Sequence, residues 1–482
     1  MFSKILIANR GEIAVRIIRA CREMGISTVA IYSEADKNAM HVQLADESYC
    51  VGGSRVADSY LNMPAILTVA IESGAQAIHP GYGLLSENAK FVSLCEQCNI
   101  NFIGPTSEMI KLLGDKDNAR KTMRAAGVPV TPGCDIIEDP VKAREEAEKI
   151  GFPLLIKARS GGGGKGIRRV DCIEQFDEAF AAASSEAQSA FGDGACYMEK
   201  FIHPVKHIEM QLLSDKYGNT ICLGERECSV QRKNQKMIEE SPSPALDDRT
   251  RKEMMKAAVK AAKAVNYVNA GTVEFLLDMN NNFYFMEMNT RLQVEHGVTE
   301  MVTGLDIVQW QIRIAAGGKL TRTQDSIFTH GNVIECRINA EDPEHGFRPS
   351  CGRIKRLHIP GGSFVRFDTA VFQDYFIFGT CGSCFFKLLV IAWKIENIFA
   401  CHIGVMLAKT AVIGKKCHTL FCIHSEMMTA FCADTEIFFH ICCKEHSAAL
   451  RAFCPHFLGN KRYIGLLLGS AFKLIFRFYK SK

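Results

Sequence analysis

The sequence of 482 residues is long enough for roughly two to four domains, and 47% hydrophobic with 23% charged residues is typical of a globular protein. A net charge of +4 is too small to indicate nucleic-acid binding, and no uninterrupted apolar run approaches the roughly 18 residues of a membrane span. The chain enters a strand pattern at once, without the basic and apolar regions of a secretory signal, so we expect a cytoplasmic protein with no nucleic-acid or membrane partner.

The first predicted elements are a strand at residues 4–8, a helix at 11–21 and a strand at 28–32. The helix carries apolar residues at helical spacing, and the order predicts a βαβ unit of an α/β fold. A dinucleotide site would require Gly-x-Gly-x-x-Gly at the first turn, whereas the sequence there is Asn-Arg-Gly-Glu. We therefore reject a dinucleotide-binding domain.

A candidate ligand loop follows the predicted strand at residues 76–79. Pro-Gly-Tyr-Gly at 80–83 forms a tight turn before the next helix, and ligand sites of α/β folds form at such strand ends. Tyr82 is therefore a candidate site residue, with a plain turn aromatic as the alternative. Farther along, a helix opens at residues 115–119 with Lys116 in its first turn.

A glycine-rich loop at residues 160–166 separates predicted strands at 151–158 and 167–170. Its backbone N–H groups are unobstructed, and Lys157 and Lys165 add positive charge, which suits a mobile loop that covers phosphates. The loop lacks the Gly-Lys-Ser/Thr of a Walker A motif. A flexible linker is the alternative, but the flanking strands favour a hairpin lid.

Polar and apolar residues then alternate, so that His207, Glu209 and Gln211 share one face of a predicted strand. A lone histidine at such a place is more often structural than a ligand contact. The charge run at 225–236 is typical of a solvated face, although here it precedes a loop-like stretch at 239–244. We expect that stretch to close over a site.

A predicted β-hairpin turns at Asp-Met-Asn-Asn-Asn, residues 278–282. A four-residue loop places Glu274 opposite Glu287, with Cβ atoms about 4.5–5.5 Å apart. Two carboxylates so close repel each other unless a cation lies between them, and Mg²⁺ binds one or two carboxylates while leaving room for substrate phosphates. A solvent-facing acidic pair is the alternative, but Phe283 and Phe285, predicted on the same face, argue against it.

The return strand is predicted to stay extended through residue 295. With a period of two, oxygen ligands and an anion receptor then share one face, namely Glu287, Asn289, Arg291, Gln293 and Glu295. The opposite face is apolar and carries Met286, Met288, Leu292 and Val294. This combination suits a metal–phosphate site. A later strand at 333–340 likewise presents Glu335, Arg337 and Asn339 on one face.

Four motifs resemble biotin carboxylase, the ATP-grasp component of acetyl-CoA carboxylase and related biotin enzymes. They are Glu-Met-Asn-Thr-Arg-Leu-Gln-Val-Glu-His at 287–296, His-Pro-Gly-Tyr-Gly at 79–83, the glycines at 161–164 and Glu-Cys-Arg-Ile-Asn-Ala-Glu-Asp at 335–342. The resemblance implies an α/β fold (α+β overall) from residue 1 to about residue 376. Its domains are a Rossmann-like βαβ pre-ATP-grasp domain at 1–114, an ATP-grasp domain at 115–330 with a lid at about 131–203, and a C-terminal domain at 331–482 that departs from the family after about residue 376.

The reaction that this resemblance implies begins with ATP and bicarbonate, which give carboxyphosphate. The carboxyl group then passes to biotin on a partner, as in the first half-reaction of acetyl-CoA carboxylase for malonyl-CoA and fatty acid synthesis. The implied partners are biotin carboxyl carrier protein, carboxyltransferase subunits and a second copy in a homodimer. The alternatives are another acyl-CoA or pyruvate carboxylase, and an inactive or poorly folded homologue.

Individual residues take roles by match to the family's motifs. The nucleotide site comprises Lys116, Lys157, Gly163, Gly164, Glu199, Lys200, Phe201, Ile202, His207 and Asn234. The ligands of Mg²⁺ (or Mn²⁺) are Glu274, Glu287 and Asn289, of which Glu274 and Glu287 also border the nucleotide. Bicarbonate is held by Lys236, Arg291, Gln293 and Val294, with Glu295 as its general base. The ureido ring of biotin is held by Arg337 and Tyr82. We expect the arginine beside Glu295, identified as Arg291, to keep that carboxylate ionised.

The chain departs from the family pattern mainly in its tail. Residues 377–482 hold 9 of the 20 Cys and 13 of the 30 Phe, and carry a net charge of +8 against −4 for residues 1–376. Gly382 replaces an aspartate that anchors the family's dimer contact, which also involves arginines matching Arg16 and Arg19. Three interpretations remain: a substituted C-terminus, a divergent folded end, or zinc binding that begins at Cys381-x-x-Cys384, although the later spacings match no common zinc pattern.

Overall fold

The computed structural model describes residues 1–137, 139–159, 167–359, 361–362, 364–377 and, for the backbone, 390–394. The glycine-rich loop with Gly163 and Gly164, and the Cys/His pattern of the tail, lie outside these residues. None of the helices in the described ranges is both long and apolar enough to cross a membrane.

The N-terminal part is a parallel sheet flanked by helices. Its elements are β1 (Lys4–Ile7), α1 (Gly11–Glu23), β2 (Ser27–Ser33), α2 (Met40–Leu44), β3 (Glu47–Gly52), α3 (Met63–Glu72), β4 (Ala77–His79), α4 (Ala89–Gln97), β5 (Asn101–Phe102) and α5 (Ser107–Gly114). The strand order β3-β2-β1-β4-β5 is parallel throughout, which confirms the predicted βαβ start. The order reverses between β1 and β4, and ligands of open α/β sheets bind outside the carboxyl ends of strands at such a point.

The loop with Tyr82 lies at this reversal. The side-chain amide of Asn9, just after β1, donates to the backbone oxygens of Pro80 at 2.7 Å and Tyr82 at 2.8 Å. Gly81 adopts φ +62°, and a Cβ there would come within 3.0 Å of Asn9 and Ile13. Asn9 and Gly81 therefore fix the course of this loop against β1 and α1.

A smaller antiparallel sheet follows. Its elements are α6 (Lys116–Ala125), α7 (Pro140–Ile150), β6 (Leu154–Ala158), β7 (Ile167–Val170), α8 (Phe176–Phe191) and β8 (Cys196–Lys200). The strand order is β7-β6-β8, and Lys157 pairs with Ile167 across β6 and β7. The predicted hairpin around the glycine-rich loop is therefore confirmed for its two strands. Lys116 begins α6 behind the cap residue Asp115, as predicted.

The largest sheet has seven antiparallel strands in the order β13-β12-β9-β10-β11-β14-β19. The elements of this region are β9 (Val205–Ser214), β10 (Thr220–Arg232), β11 (Gln235–Ser241), α9 (Asp248–Ala264), β12 (Asn269–Asp278), β13 (Phe283–Asn289), α10 (His296–Thr303), α11 (Ile307–Ala315), β14 (Asn332–Cys336), β15 (Glu341–Asp342), β16 (Arg348–Pro349), β17 (Gly352–Arg353), β18 (Phe376–Ile377) and β19 (Val390–Lys394). Helix α9 packs its apolar stripe on one face of the sheet, in a core with β9, β12 and β13. The other face carries the polar residues described below, and its apolar residues Leu213, Ile221 and Ala270 belong to a second core with α1 and α11.

The β12–β13 hairpin differs in one respect from the expected pairing. Glu274 does lie opposite Glu287, but Phe275 pairs with Phe285, so Met286 is an extra residue in a β-bulge. Because of this extra residue, the residues of β13 before Met286 face the side of the sheet opposite to the one predicted. Phe283 and Phe285 therefore pack against Phe275 in the core with α9, and the prediction that they share the acidic face is wrong.

The charge run at 225–236 is buried over residues 225–228 and exposed at residues 233–235, so the interpretation as a solvated face is wrong for its first part. Glu225, Arg226 and Glu227 are buried in the middle of β10, where antiparallel neighbours cover both edges of the strand. The stretch at 239–244, expected to be a loop, begins inside β11, and Glu239 there is buried. Pairing between strands far apart in sequence buries these charges, and local composition does not report such pairing.

Candidate active site

One face of the large sheet carries a row of charges across four neighbouring strands. Glu287 on β13 pairs with Glu274 on β12, Glu274 with Glu209 on β9, and Glu209 with Arg226 on β10. Directly opposed side chains in antiparallel strands lie about 5 Å apart. Three carboxylates therefore stand next to one another and require positive charge close by.

Lys236 of β11 supplies part of that charge. Its ammonium nitrogen donates to Glu209 at 2.6 Å, Glu274 at 2.9 Å and Glu295 at 2.7 Å. Burial lowers the pKa of this ammonium, but the surrounding carboxylates outweigh burial and raise the pKa well above its usual range. The lysine is thus a fixed cation at the centre of the acidic cluster.

Glu274 is the most heavily bonded of the carboxylates. Besides Lys236 it accepts from Asn289 at 2.7 Å and Gln293 at 2.8 Å, and His207 Nε2 lies 2.8 Å from its other oxygen. Burial alone would raise the pKa of this carboxyl, but Lys236 and His207 outweigh burial and lower it. Glu274 is therefore ionised in the folded chain.

The residues expected to hold a divalent metal fit such an ion. Glu287 faces Glu274, and burial followed by this neighbouring charge raises the pKa of the Glu287 carboxyl. A cation between the two carboxylates would relieve that repulsion, and Asn289 adds an amide at the same end of β13. The two carboxylates are oxygen ligands that Mg²⁺ prefers, whereas the Asn289 amide directs its nitrogen at Glu274 and its oxygen at Arg291.

Glu295 joins two cations that the sequence analysis placed in different roles. One carboxylate oxygen accepts from Lys236, and the other accepts from Arg337 Nη2 at 2.8 Å. Burial raises the pKa of Glu295, but Lys236, then Arg337 and Arg226 outweigh it and lower the pKa well below its usual range. The arginine that contacts this carboxylate is therefore Arg337, not Arg291 as we expected.

Arg291 instead joins the site to the N-terminal part. Its Nε donates to Glu87 at 2.8 Å, and one Nη donates to the Asn289 side-chain oxygen at 3.1 Å. Strand β13 ends at Asn289, so the predicted extension through residue 295 is wrong beyond that point. Residues 290–295 leave the sheet, which is why Arg291 turns toward Glu87 while Gln293 and Glu295 turn inward.

Tyr82 and Val294 line the same small cavity, together with Glu12, Ile13, Arg16, His296 and Asp368. The Tyr82 hydroxyl donates to Glu12. Burial, then Glu12, raises the pKa of the phenol well above its usual range, while the nearby charge of Arg337 acts in the opposite direction. The loop after β4 thus comes close to Arg337, the other residue assigned to biotin.

The residues assigned to the nucleotide are spread over the smaller sheet and the adjoining strands. The Lys157 ammonium of β6 forms an ion pair with the Glu199 carboxylate of the neighbouring strand β8. Lys200 donates to the Phe152 backbone oxygen at 2.7 Å. The Phe201 ring lies under Arg169, and Ile202 follows it half-buried. Lys116 is exposed, and its charge acts to lower the pKa of the Glu287 carboxyl, against the larger effects of burial and Glu274.

Asn234 lies at the tip of the β10–β11 hairpin. Lys233 and Asn234 both have positive φ, 49° and 63°, which is the two-residue turn that joins twisted antiparallel strands. The side chain is exposed. Backbone geometry alone therefore accounts for an asparagine at this position, and its assignment to the nucleotide stays a prediction.

Four residues of this cluster received no role from the sequence, namely Glu87, Glu209, Arg226 and Glu239. The alternating pattern of β9 could have indicated Glu209, because this residue shares a strand face with His207 and Gln211. Arg226 and Glu239 lay in segments interpreted as solvated or loop-like, and Glu239 lies 2.6 Å from Arg337 Nε.

Three family models match the chain in succession. They are "Biotin carboxylase, N-terminal domain" at residues 1–110, "Carbamoyl-phosphate synthase L chain, ATP binding domain" at 115–323, and "Biotin carboxylase C-terminal domain" at 335–435. The last match continues past residue 376, where the resemblance read from the sequence ends. Most of that continuation lies outside the described residues.

Individual relatives agree with these matches. The chain is 57% identical over 390 residues to the biotin carboxylase of Nostoc sp., covering 81% of this chain and 87% of the relative. A biotin carboxylase complex with β-γ-ATP from Campylobacter jejuni is 48% identical with a TM-score of 0.78, covering 82% and 88% of the two chains. The biotin carboxylase domain dimer of Hydrogenobacter thermophilus 2-oxoglutarate carboxylase, in complex with MgADP, ADP and bicarbonate, is 51% identical with a TM-score of 0.76, covering 82% and 86%.

Proposed function

This chain belongs to the biotin carboxylase family, a group of ATP-dependent ligases, and we propose that it carboxylates carrier-bound biotin through carboxyphosphate formed from ATP and bicarbonate. The observation that carries the proposal is the contact of Glu295 with both Lys236 and Arg337. One carboxylate thereby adjoins the residues assigned to bicarbonate and to biotin.

The nucleotide phosphates meet positive charge from two sides. Lys157 and Lys200 belong to the smaller sheet, and Lys116 at the start of α6 adds a charge that acts on Glu287. Glu274, Glu287 and Asn289 would hold Mg²⁺, which neutralises phosphate charge when it is bound. These positions favour attack on the terminal phosphate of ATP at the edge formed by β12 and β13.

Bicarbonate is a weak nucleophile, so removal of its proton assists the attack. Glu295 is ionised and takes this proton, while Lys236, Arg291, Gln293 and Val294 hold the anion. Because bicarbonate is itself an anion, it competes with Glu295 for Lys236. Loss of that contact raises the pKa of Glu295 toward the range in which a general base is effective.

Biotin enters on the other side of Glu295. Arg337 and Tyr82 hold its ureido ring, and the loop after β4 places Tyr82 at the point where the first sheet reverses its order. Arg337 changes partners as biotin binds, from Glu295 to the ureido oxygen. The proton acceptor and the carboxyl acceptor therefore share one guanidinium.

The protein partners follow from the relatives. We propose a biotinylated carrier protein and carboxyltransferase subunits, with acetyl-CoA carboxylase of fatty acid synthesis as the cytoplasmic system. The Hydrogenobacter relative serves 2-oxoglutarate carboxylase, which makes another carboxylase the alternative. A homodimer is proposed from that relative too, although Arg16, one of two arginines assigned to the contact, pairs within this chain with Glu300 and Asp306.

The experiment that tests the function is ATP hydrolysis by the full-length chain with bicarbonate and free biotin. We expect hydrolysis that requires bicarbonate and is stimulated by biotin. The rates with the biotinylated carrier proteins of acetyl-CoA, pyruvate and 2-oxoglutarate carboxylase as acceptors then identify the carboxylase to which the chain belongs. Binding of ATP without bicarbonate-dependent hydrolysis would contradict the proposal.

A second candidate is an inactive homologue, and the composition of residues 377–482 favours it. A tail that does not complete the C-terminal domain would expose apolar surface, and we would then expect aggregation. The pairing of β19 with β14 over five residues argues against this for residues 390–394. Sedimentation of the full-length chain separates the two, since a monomer or dimer excludes aggregation.

A further inference from the structure

Arg226 is a buried charged residue of the large sheet that the reaction described above does not use. It lies on β10 directly opposite Glu209 of β9, and its side chain is fully buried. A buried guanidinium is costly unless every donor is satisfied. Its partners therefore reveal what the position is built to hold.

All five N–H groups of Arg226 have acceptors, and the acceptors come from four segments. They are Glu209 Oε1 at 2.5 Å, Gln211 Oε1 at 2.8 Å, Thr272 Oγ1 at 3.4 Å, Gln293 Oε1 at 2.7 Å and Thr299 Oγ1 at 2.8 Å. These acceptors lie on β9, on β12, in the segment after β13 and on α10. One side chain thus joins the sheet to the segment that carries Glu295.

The contact with Gln293 fixes the direction of an amide. Arg226 only donates, so the Gln293 oxygen must face it, and the Gln293 nitrogen then faces the Glu274 carboxylate at 2.8 Å. The amide therefore turns its N–H groups toward the side of the acidic row. An anion beside Glu274 meets a donor rather than a carbonyl.

The contact of Arg226 with Glu209 also affects the position of the Lys236 ammonium. One oxygen of Glu209 binds Arg226 and the other binds Lys236 at 2.6 Å, so the carboxylate is shared between two cations. Without Arg226, Glu209 would carry an unshared charge in a buried place and would hold Lys236 more strongly. Lys236 would then be less available to a bound anion.

We propose that Arg226 is a positioning residue for bicarbonate, which sets the Gln293 amide and the Lys236 ammonium in the orientations that receive the anion. The inference rests on the proposed function. Arg226 acts through Glu209 and Gln293 and does not itself touch the substrate. Its effect should therefore fall on bicarbonate and spare ATP.

The test compares Arg226→Lys and Arg226→Met with the full-length wild type. We expect the KM for bicarbonate to rise about 10- to 100-fold in Arg226→Met, because all five guanidinium contacts are lost, including those that orient Glu209 and Gln293, while the KM for ATP stays within about twofold. Arg226→Lys should also raise the KM for bicarbonate, since a single ammonium cannot bond all five acceptors. A wild-type KM for bicarbonate in Arg226→Lys would overturn the claim that the planar guanidinium group of Arg226 positions the bicarbonate site.

A matched control is Arg251→Lys. Arg251 is a half-buried arginine with several acceptors, including Glu225 at 2.8 Å on the same strand as Arg226, but it belongs to α9. We expect no selective change in the KM for bicarbonate. Equal effects of the Arg226 and Arg251 variants, or an equal rise in both KM values, would reduce Arg226 to a structural role.

Thr299→Val covers the case in which the Arg226 variants do not fold. It removes one acceptor of Arg226 without touching Glu209 or Gln293, so a smaller rise in the same KM is expected, and no rise would contradict the proposal. If the wild type lacks turnover, the proposed function fails, and binding of ¹³C-bicarbonate in NMR titrations still decides the inference. Weaker binding in Arg226→Lys supports it, and equal binding in both proteins overturns it.

Discussion

Glu295 accepts a hydrogen bond from Lys236 at one oxygen and from Arg337 at the other. In the proposed reaction each cation is also a substrate contact, Lys236 for bicarbonate and Arg337 for biotin. A substrate that takes over either cation leaves the carboxylate more basic. Occupancy of the site, rather than a fixed environment, would therefore set the basicity of Glu295.

Glu295→Gln tests the general base at the scale of one residue. The amide keeps the size of the side chain but cannot take a proton, so bicarbonate-dependent turnover should fall about 10²- to 10⁴-fold. ATP binding should stay nearly intact, because the nucleotide residues lie elsewhere. Steady-state kinetics with an ATP-binding titration measure both quantities. Glu253→Gln on the exposed side of α9 is the control, and full activity of Glu295→Gln would refute the assignment.

Glu239 gives a pH prediction. Burial raises the pKa of this carboxyl to about 7, although Arg337 at 2.6 Å acts in the opposite direction. The folded chain therefore keeps a proton that the unfolded chain has already lost, and stability should fall as pH rises from about 4.5 to about 7. Glu239→Gln removes this contribution, so its urea midpoint relative to wild type should be higher at pH 8 than at pH 5. An unchanged difference between the two pH values would contradict the shift.

At the scale of elements, the β12–β13 hairpin shows how one residue decides which face is functional. The bulge at Met286 lets Phe285 pack against Phe275 while Glu287, two residues on, faces Glu274. A regular hairpin with the same carboxylate pair would have turned Phe285 toward the two carboxylates, Glu274 and Glu287. The bulge thus allows an apolar strand start and an acidic strand end in a single strand.

Two substitutions distinguish the bulged pairing from the regular one. Phe285→Ala should lower the free energy of unfolding by about 3–5 kcal/mol, because it leaves a cavity under α9. Met286→Ala should change it by less than about 0.5 kcal/mol, since Met286 is 38% exposed. Chemical denaturation measures both values. The reverse order of effects would indicate a regular hairpin with Met286 inside.

At the scale of the whole molecule, Glu300 joins three parts of the chain behind the site. It accepts from Arg16 of α1 at 2.9 Å and from Arg366 of the C-terminal part at 2.7 Å, and it belongs to α10, the helix that follows Glu295. Both arginines are also paired, Arg16 with Asp306 and Arg366 with Asp368. The cluster fixes α10, and with it Glu295, against α1 and the C-terminal part.

Glu300 should therefore control stability in acid. Burial raises its pKa, but Arg16, then His296 and Arg366 outweigh burial and lower the pKa to about 2. The stabilisation is present above the ordinary value of 4.5 and is lost as pH falls from there toward about 2. It amounts to on the order of 3 kcal/mol. Glu300→Gln should lower stability at pH 7 and flatten the loss below pH 4.5 in a denaturation series; an unchanged slope would contradict the assignment.

Sequence motifs were sufficient to identify the family and the reaction class, and local patterns predicted much of the short-range geometry. The βαβ start, the strands on either side of the glycine-rich loop and the Glu274–Glu287 pair depend on residues close together in the chain, where periodicity and turn chemistry act directly. Motif matching placed Glu295 and Arg337 in one site, although 42 residues separate them.

The contacts between the buried charges, in contrast, depend on how distant strands assemble into the sheet. The seven-stranded sheet brings β9, β10, β11 and β12 together, so that Arg226 and Glu239, in segments that look solvated or loop-like, become buried partners of the site. In the folded chain Glu295 forms an ion pair with Arg337, and Arg291 forms one with Glu87. The physical reason is that strand order and the path of the chain after β13 determine which groups lie next to a buried charge. Neither property can be inferred from a local pattern of residues.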